Sequence, residues 1–470
     1  VKLALEASFT PTGRSRHPAD MYLLYSFALT LLFFAALPYF IYQALRHGKY
    51  QGSFRQRMGF LPAELKDNSR PTIWVHTVSV GEFNAARPLI SQLKESLPDH
   101  TIVVSTITLT GQRLAASATG SFERAFYFPF DWNFAVRRSL DHINPALVVI
   151  LETELWPNFL RECRRRKIVT VIANGRISAG SFKGYRRARK FISRVLADVS
   201  LLVMQSEMDA ERVLKLGAPQ PKVRICGNLK YDVIDKSEDS GFIELCRSLD
   251  NQFALSASSK LIVAGSTAQG EEKIILESLR SVRSQRGLET VRLLIAPRHP
   301  ERFEEVFSLI KQSGFSFARR SQPSASSNKA DVILLDTIGE LNAAYRFASL
   351  VFVGGSLVAR GGHNVIEPAA CARAIIVGPH MENFRAIAAD FINADAMIQI
   401  KPADLNPAQS LAGEFTQLLV DRAAAEAMGA RAREILLRNR GTTLCTVEAI
   451  TKALSEKPTN VISATTSNPL

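Results

Sequence analysis

Cysteine is scarce in this 470-residue chain. Cys163, Cys226, Cys246, Cys371 and Cys445 are scattered, odd in number and contain no CxxC pair. That pattern argues against a disulfide framework or a zinc site and fits a reducing compartment, with each thiol as small apolar filler. Histidine is sparse too, at eight residues, and neither a DxD element nor a His cluster offers a metal site. No short-period repeat is present, so repeat architectures are excluded. Acidic residues are in deficit: 44 Asp and Glu against 58 Lys and Arg leave a net charge of +14. Such a chain calls for an anionic partner, whether nucleic acid, an anionic membrane surface or a phosphorylated substrate.

Long apolar runs are missing as well, with one exception. Residues 21–42, MYLLYSFALTLLFFAALPYFIY, carry no charge, and they reach the ~20 residues needed to cross a bilayer. Arg46, Lys49, Arg55 and Arg57 follow at once, which places that flank and the chain behind it in the cytoplasm. The run is too long for a secretory signal and no small-residue cleavage site follows it. Residues 21–45 are therefore expected to be a transmembrane anchor. Residues 1–20 look like neither anchor nor domain, and Met21 is a candidate native start.

From Pro71 onward, short apolar runs alternate with helical patterns. The first set is TIWVHTV (72–78), TIVVSTI (101–107), ALVVILE (146–152), KIVTVIA (167–173) and LLVMQ (201–205). The second is LIVAGS (261–266), VRLLIAP (291–297), DVILLD (331–336), SLVFVGG (349–355) and AIIVG (374–378). Continuous apolar strands separated by helices mean parallel sheets buried on both faces. Residues 227–250 break the rhythm and read as a linker, and the polar stretch 321–330 reads as a loop. The expected fold is α/β: two Rossmann-like domains, 50–240 and 241–455, facing across a cleft at the carboxyl ends of their strands, with a membrane helix before them and a disordered tail over 456–470.

Candidate chemistry stands where the strands end. Glu82, in Val78-Ser79-Val80-Gly81-Glu82, falls in a first helical turn, with Gly81 allowing a tight approach. It reads either as a complement to the helix dipole or as a general base. Glu152 closes a buried strand and needs a partner, and Glu154 reads as a helix cap. Lys230, in Gly227-Asn228-Leu229-Lys230, is placed to stabilise a departing phosphate or is an ordinary surface lysine. Pro297 and Arg298 precede a helix N-terminus suited to phosphate. Gly339, Glu340 and Leu341 start another helix. Gly354, Gly355 and Ser356 lead to Gly361, Gly362, His363, Asn364, Val365, Ile366 and Glu367. The glycines expose N–H groups to a phosphate, and Glu367 can accept ribose hydroxyls. Two basic runs, RECRRRK (161–167) and KGYRRARK (183–190), are either solvated faces or contacts for an anionic lipid surface or phosphorylated acceptor. No recognised nucleic-acid-binding motif accompanies them, so nucleic acid is not expected.

The ordered set SVGEFNAARPL, LETELWPN, ANGRIS, CGNLKYD, AGST, APRHPERF, GELNAAY, GGS and GGHNVIEPAA resembles the 3-deoxy-D-manno-octulosonic acid (Kdo) transferases. The resemblance implies a two-Rossmann-domain glycosyltransferase of the GT-B type in lipopolysaccharide core biosynthesis. CMP-Kdo would be the donor and the tetraacylated lipid A precursor, lipid IVA, the acceptor. No metal or other cofactor is implied, and the place of work is the cytoplasmic face of a bacterial inner membrane. It also implies Glu82 as catalytic base and Glu152 and Lys230 as transition-state stabilisers. The CMP contacts would be Pro297, Arg298, Gly339, Glu340, Leu341, Asn364, Val365, Ile366 and Glu367. The alternatives are another nucleotide-sugar enzyme of this fold, such as a heptosyl- or N-acetylglucosaminyltransferase or an epimerase, and a non-catalytic membrane-anchored anion-binding protein.

Overall fold

The computed structural model describes residues 18–47, 53–66, 69–118, 120–232, 240–255, 260–401 and 406–456. The chain forms two units: one runs to Asp232 and resumes at Gly441, and the other is Val233–Arg440.

The first unit is built on seven parallel strands: β1 (Thr72–His76), β2 (Thr101–Thr106), β3 (Arg124–Tyr127), β4 (Pro145–Leu151), β5 (Val169–Gly175), β6 (Leu201–Met204) and β7 (Val223–Ile225). Their spatial order is β3-β2-β1-β4-β5-β6-β7. Crossover helices cover both faces, which is why β1, β2 and β5 are buried at every residue. One face packs Phe83, Leu89, Ile90 and Leu93 of helix Val80–Ser96 against Ile73, Val75 and Val149. On the other, Trp74 meets Phe126, Phe128 and Phe159 with ring centroids 5.1–5.8 Å apart.

The second unit carries β8 (Leu261–Thr267), β9 (Arg292–Pro297), β10 (Phe317–Arg319), β11 (Val332–Leu334), β12 (Leu350–Val353), β13 (Ala374–Val377) and β14 (Ile398–Gln399). Their order is β10-β11-β9-β8-β12-β13-β14, all parallel. In each sheet the order turns back beside the first strand, β1 or β8, and ligands of such sheets bind at that switch point.

Three sequence expectations need correction. First, helix Thr442–Ser455 does not close the second domain. Its Val447 and Ile450 are buried with Ile73 and Leu89 in the first unit. Second, Cys226 and Cys445 form a disulfide although they lie 219 positions apart in the sequence, with Cα atoms 5.6 Å apart. The returning helix brings them together, and the cysteine argument for a reducing compartment goes with the correction. Third, helix Ser240–Phe253 occupies most of the second half of the expected linker. The apolar N-terminal helix, Pro18–His47, includes the expected anchor segment and is docked along its first half. Tyr22 and Tyr25 are buried, and the Tyr22 hydroxyl donates to Asp198 at 2.5 Å. The linker residues 233–239, residues 1–17 of the extension and the tail 457–470 lie outside the described residues.

Candidate active site

In the first unit, three polar side chains meet at the carboxyl edge of β1, β4 and β5. Ser79 caps helix Val80–Ser96, and Glu82 stands three residues on. The Glu82 carboxylate accepts from the Val78 N–H at 2.7 Å and from the Ser79 hydroxyl at 3.2 Å, a variant of the reciprocal capping box. The capping reading of Glu82 thus holds. Burial pushes the Glu82 carboxyl up to about 8, helped by the negative charge of Glu152. Gly81 has no positive φ, and a Cβ there would meet nothing nearer than 3.9 Å. The turn therefore does not demand glycine, contrary to the sequence reading.

Glu152 follows the last residue of β4 with φ +56. That conformation costs a non-glycine residue about 1 kcal/mol or more, and it turns the side chain out of the alternation of the strand. The Glu152 carboxylate lies 3.8 Å from the Lys230 ammonium, with both side chains partly exposed. Lys230 reaches that position because the turn Leu229–Tyr231 is pinned. Asn174, at the end of β5, accepts from the Leu229 N–H at 3.0 Å, and Asn228 accepts from the Lys230 N–H at 3.0 Å. The sequence reading quoted Asn174 inside a motif without giving it a task. It also assigned the helix cap after Glu152 to Glu154. The N–H groups of Asn158 and Phe159 instead donate to Asp131 at 3.0 and 2.8 Å.

The second unit places the other candidates after the carboxyl ends of neighbouring strands. Pro297 ends β9, and the Arg298 side chain is exposed beyond it. Gly339 has φ +89 and precedes Glu340, which accepts from Arg320 at 2.7 Å and Thr337 at 2.8 Å, and Leu341 opens a short helix. Asn364 binds the Ile366 N–H at 3.1 Å and donates to Glu367 at 3.0 Å. Val365 and Ile366 have buried side chains, so what they can offer a ligand is backbone. His363 lies against Gly355, whose added Cβ would stand 2.7 Å from the ring. Burial, and then the charges of Arg298 and His299, hold His363 down to about 4, so the ring is neutral.

The glycine loop itself behaves differently from expectation. Three consecutive N–H groups of its first part are already taken. Glu271, fully buried, accepts from Gly355, Ser356 and Leu357 at 2.7, 2.9 and 2.8 Å, and from Ala268 at 2.8 Å. An internal carboxylate thus fills the nest that the sequence reading reserved for phosphate.

Of the two basic runs, the first is largely paired within its own unit: Arg165 and Arg166 with Glu162, Arg166 with Asp141, and Arg164 with Asp198. Lys183, Arg186, Arg187, Arg189 and Lys190 of the second run are exposed. A cavity of about 500 Å³ opens at the amino ends of β1 to β3, beside Thr72, Thr101 and Arg124, the opposite edge from Glu82. Among the described residues, no three His, Cys, Asp or Glu side chains are grouped to hold a metal ion.

Residues 52–233, the strands and turns that carry Glu82, Glu152 and Lys230, match the family model described as 3-deoxy-D-manno-octulosonic-acid transferase (kdotransferase). A 3-deoxy-D-manno-octulosonic acid transferase from Haemophilus influenzae is 35% identical over 370 residues, covering 78% of this chain and 84% of that one. One from Bordetella pertussis is 32% identical over 388 residues, covering 80% and 86%. Among solved structures, a UDP-GlcNAc 2-epimerase from Neisseria meningitidis aligns over 81% of this chain and all of its own, with a TM-score of 0.55 at 12% identity, a likeness of fold alone. The two parallel α/β sheets are those of the GT-B class, and the chain belongs to the Kdo transferase family, glycosyltransferases of lipopolysaccharide biosynthesis.

Proposed function

We propose that this enzyme moves Kdo from CMP-Kdo to the lipid A precursor, lipid IVA, by an inverting displacement at the cytoplasmic face of a bacterial inner membrane. The observation that carries the reading is the Glu82 carboxyl, raised to about 8 by burial and by Glu152. A carboxylate that holds its proton near neutral pH is a base strong enough to take one from a sugar hydroxyl.

In this mechanism Glu82 removes the acceptor proton as the hydroxyl oxygen attacks the anomeric carbon. The bond from that carbon to the CMP phosphate oxygen breaks, and CMP leaves with the bonding pair. Lys230, steered by Glu152, meets the charge that develops on the phosphate. In the second unit Arg298 supplies a cation for the nucleotide phosphate, and the Asn364–Glu367 pair presents a carboxylate for ribose hydroxyls. With Glu271 filling the loop's nest, the glycine loop shapes the donor site through its backbone path and leaves phosphate binding to side chains. Neither a metal nor any other cofactor has a part in this scheme. The exposed basic run on helices Ala179–Arg187 and Arg189–Asp198 suits the phosphates of a lipid acceptor or of the membrane around it.

The test is transfer from CMP-Kdo to lipid IVA, with the product counted by mass. A gain of one or more Kdo units supports the proposal. Thermal stabilisation by UDP or ADP but not by CMP, with no product formed, refutes it in favour of another nucleotide-sugar enzyme.

A further inference from the structure

We infer that the N-terminal helix seats the enzyme on a single leaflet, lying in its plane with one apolar stripe immersed, and does not cross the bilayer. The inference rests on the membrane location proposed above and concerns its geometry.

The segment Asp20–Pro38 is long and apolar enough to span a membrane, yet its two faces differ. Tyr22, Tyr25, Leu29 and Phe33 recur at helical spacing and face the first unit. Tyr22 and Tyr25 are buried, Leu29 packs against the same core, and Phe33 lies 5.7 Å from Phe130 and 4.8 Å from Trp132. Ser26, between them, accepts from Asn158 at 2.9 Å. The opposite stripe, Leu23, Phe27, Leu31 and Phe34, is 55–64% exposed.

Two observations oppose a crossing. A spanning helix has its whole circumference in hydrocarbon, so this one would carry its docking partners with it. They include Asp198, which binds Tyr22 and pairs with Arg164 at 2.8 Å. An α/β domain surface bearing such charges has no place at that depth. Further, the Phe130 ring touches Phe33 at 5.7 Å and also Phe54 at 6.1 Å, so the chain is on one side of the membrane at both positions. Only residues 34–53 lie between them, and passage out and back takes about 40 residues.

An in-plane helix needs one apolar face and cations at its margins. Both are present. The Arg161 guanidinium stands 4.4 Å over the Tyr22 ring near the start of the stripe. Past its end, Arg138 and Arg55 stand 4.1 and 6.0 Å from the half-exposed Phe60 ring. The exposed Phe60 ring between two guanidinium groups, with Arg161 at the other end of the helix, matches the boundary between acyl chains and anionic headgroups, so an anionic bilayer surface is the occupant this stripe selects.

The test uses the full chain with a protease-cleavable tag ahead of Val1 and a second tag after Leu470, added to preformed vesicles of phosphatidylethanolamine with about 30% phosphatidylglycerol. The expected result is flotation with the vesicles and removal of both tags by external protease, with no further cleavage on adding detergent. An N-terminal tag protected until detergent is added, while the C-terminal tag is cut, would overturn the in-plane geometry and leave the membrane location standing. Failure to float at all overturns the membrane location itself. Phe27→Asp combined with Phe34→Asp should reduce flotation at least ~10-fold with little change in Tm, because the docked face is untouched. Unchanged flotation, or a vesicle-independent dimer that the double change dissolves, counts against the proposal.

Discussion

The Lys230 ammonium stands 3.8 Å from the Glu152 carboxylate, so the turn after β7 sets a positive charge against the end of β4. Glu152 in turn raises the Glu82 carboxyl. Three residues far apart in the chain thus meet at one sheet edge, two carboxyls and an ammonium, with Glu152 between the other two in effect. The Ser79 cap, the left-handed Glu152 backbone and the Asn174 side chain hold them in place.

The first prediction concerns pH. Only the ionised form of Glu82 can take a proton, so kcat/KM should rise with pH and level off above about 8. Glu152→Gln removes the second largest cause of the raised value. It should lower the maximum rate and also move the rise to lower pH. A pH profile of the two proteins decides this, and an inflection that stays put disproves the coupling.

Glu82→Gln should lower turnover at least ~10²-fold and stabilise the protein at alkaline pH. The carboxyl sits near 8 in the folded chain, against an ordinary value of 4.5. The native state therefore favours its neutral form. That contribution is complete below 4.5, shrinks as pH rises and is gone above about 8. The Tm advantage of the variant should be absent at pH 4, grow with pH and level off above about pH 8. Equal Tm values at pH 9 would contradict the sign.

Glu271→Ala should destabilise the second unit by about 3–5 kcal/mol, because four buried N–H groups lose their acceptor. Urea unfolding measures this. CMP affinity should fall at least ~10-fold in the fraction that folds, since the loop path is lost. Activity and stability close to those of the parent would mean that the loop holds itself.

Gly355→Ala combines two strains, a residue at φ +68 and a Cβ 2.7 Å from the His363 ring. The expected cost is about 1–3 kcal/mol, with weaker CMP binding because the 361–367 turn must shift. His363→Ala in the same chain should recover part of the binding, and calorimetric titration with CMP reads both changes.

A non-reducing peptide map should join the peptides that contain Cys226 and Cys445 and leave Cys163, Cys246 and Cys371 alkylated as free thiols. Cys445→Ser should lower the stability of the first unit by about 2–4 kcal/mol relative to the oxidised protein. Recovery of all five cysteines as free thiols from protein purified without reductant would refute the pairing.

Interior strands were legible in the sequence because both their faces are buried. TIWVH, PALVVIL and LIVAGST are nearly unbroken apolar runs. The edge strands RAFY, VRI, FAR and IQ are not, because they are short and carry charged or polar residues that interrupt the apolar run. Glu82, Glu152 and Glu367 could be picked out because each is a carboxylate just past a strand or at the start of a helix. Glu271 looks the same in one dimension, opening helix Glu271–Arg283 as a plain complement to its dipole. Three of its four partners lie 84–86 residues away, and only the folded sheet brings them close. Asp131 and Asn174 escaped notice for the same reason: their hydrogen-bond partners lie 27–28 and 55 positions away.

The helix Thr442–Ser455 that returns to the first unit makes the second unit an insertion. The Asp232 carboxylate accepts from the Gly441 N–H at 2.9 Å, so the two points where the chain leaves and re-enters are adjacent. A gene fragment stopped after codon 232 therefore encodes a body with an open flank where Val447 and Ile450 belong. Splicing codon 232 to codon 441 through a few glycines would instead give that body alone with its core closed, and the excised 233–440 stretch would be the second sheet and its helices in isolation.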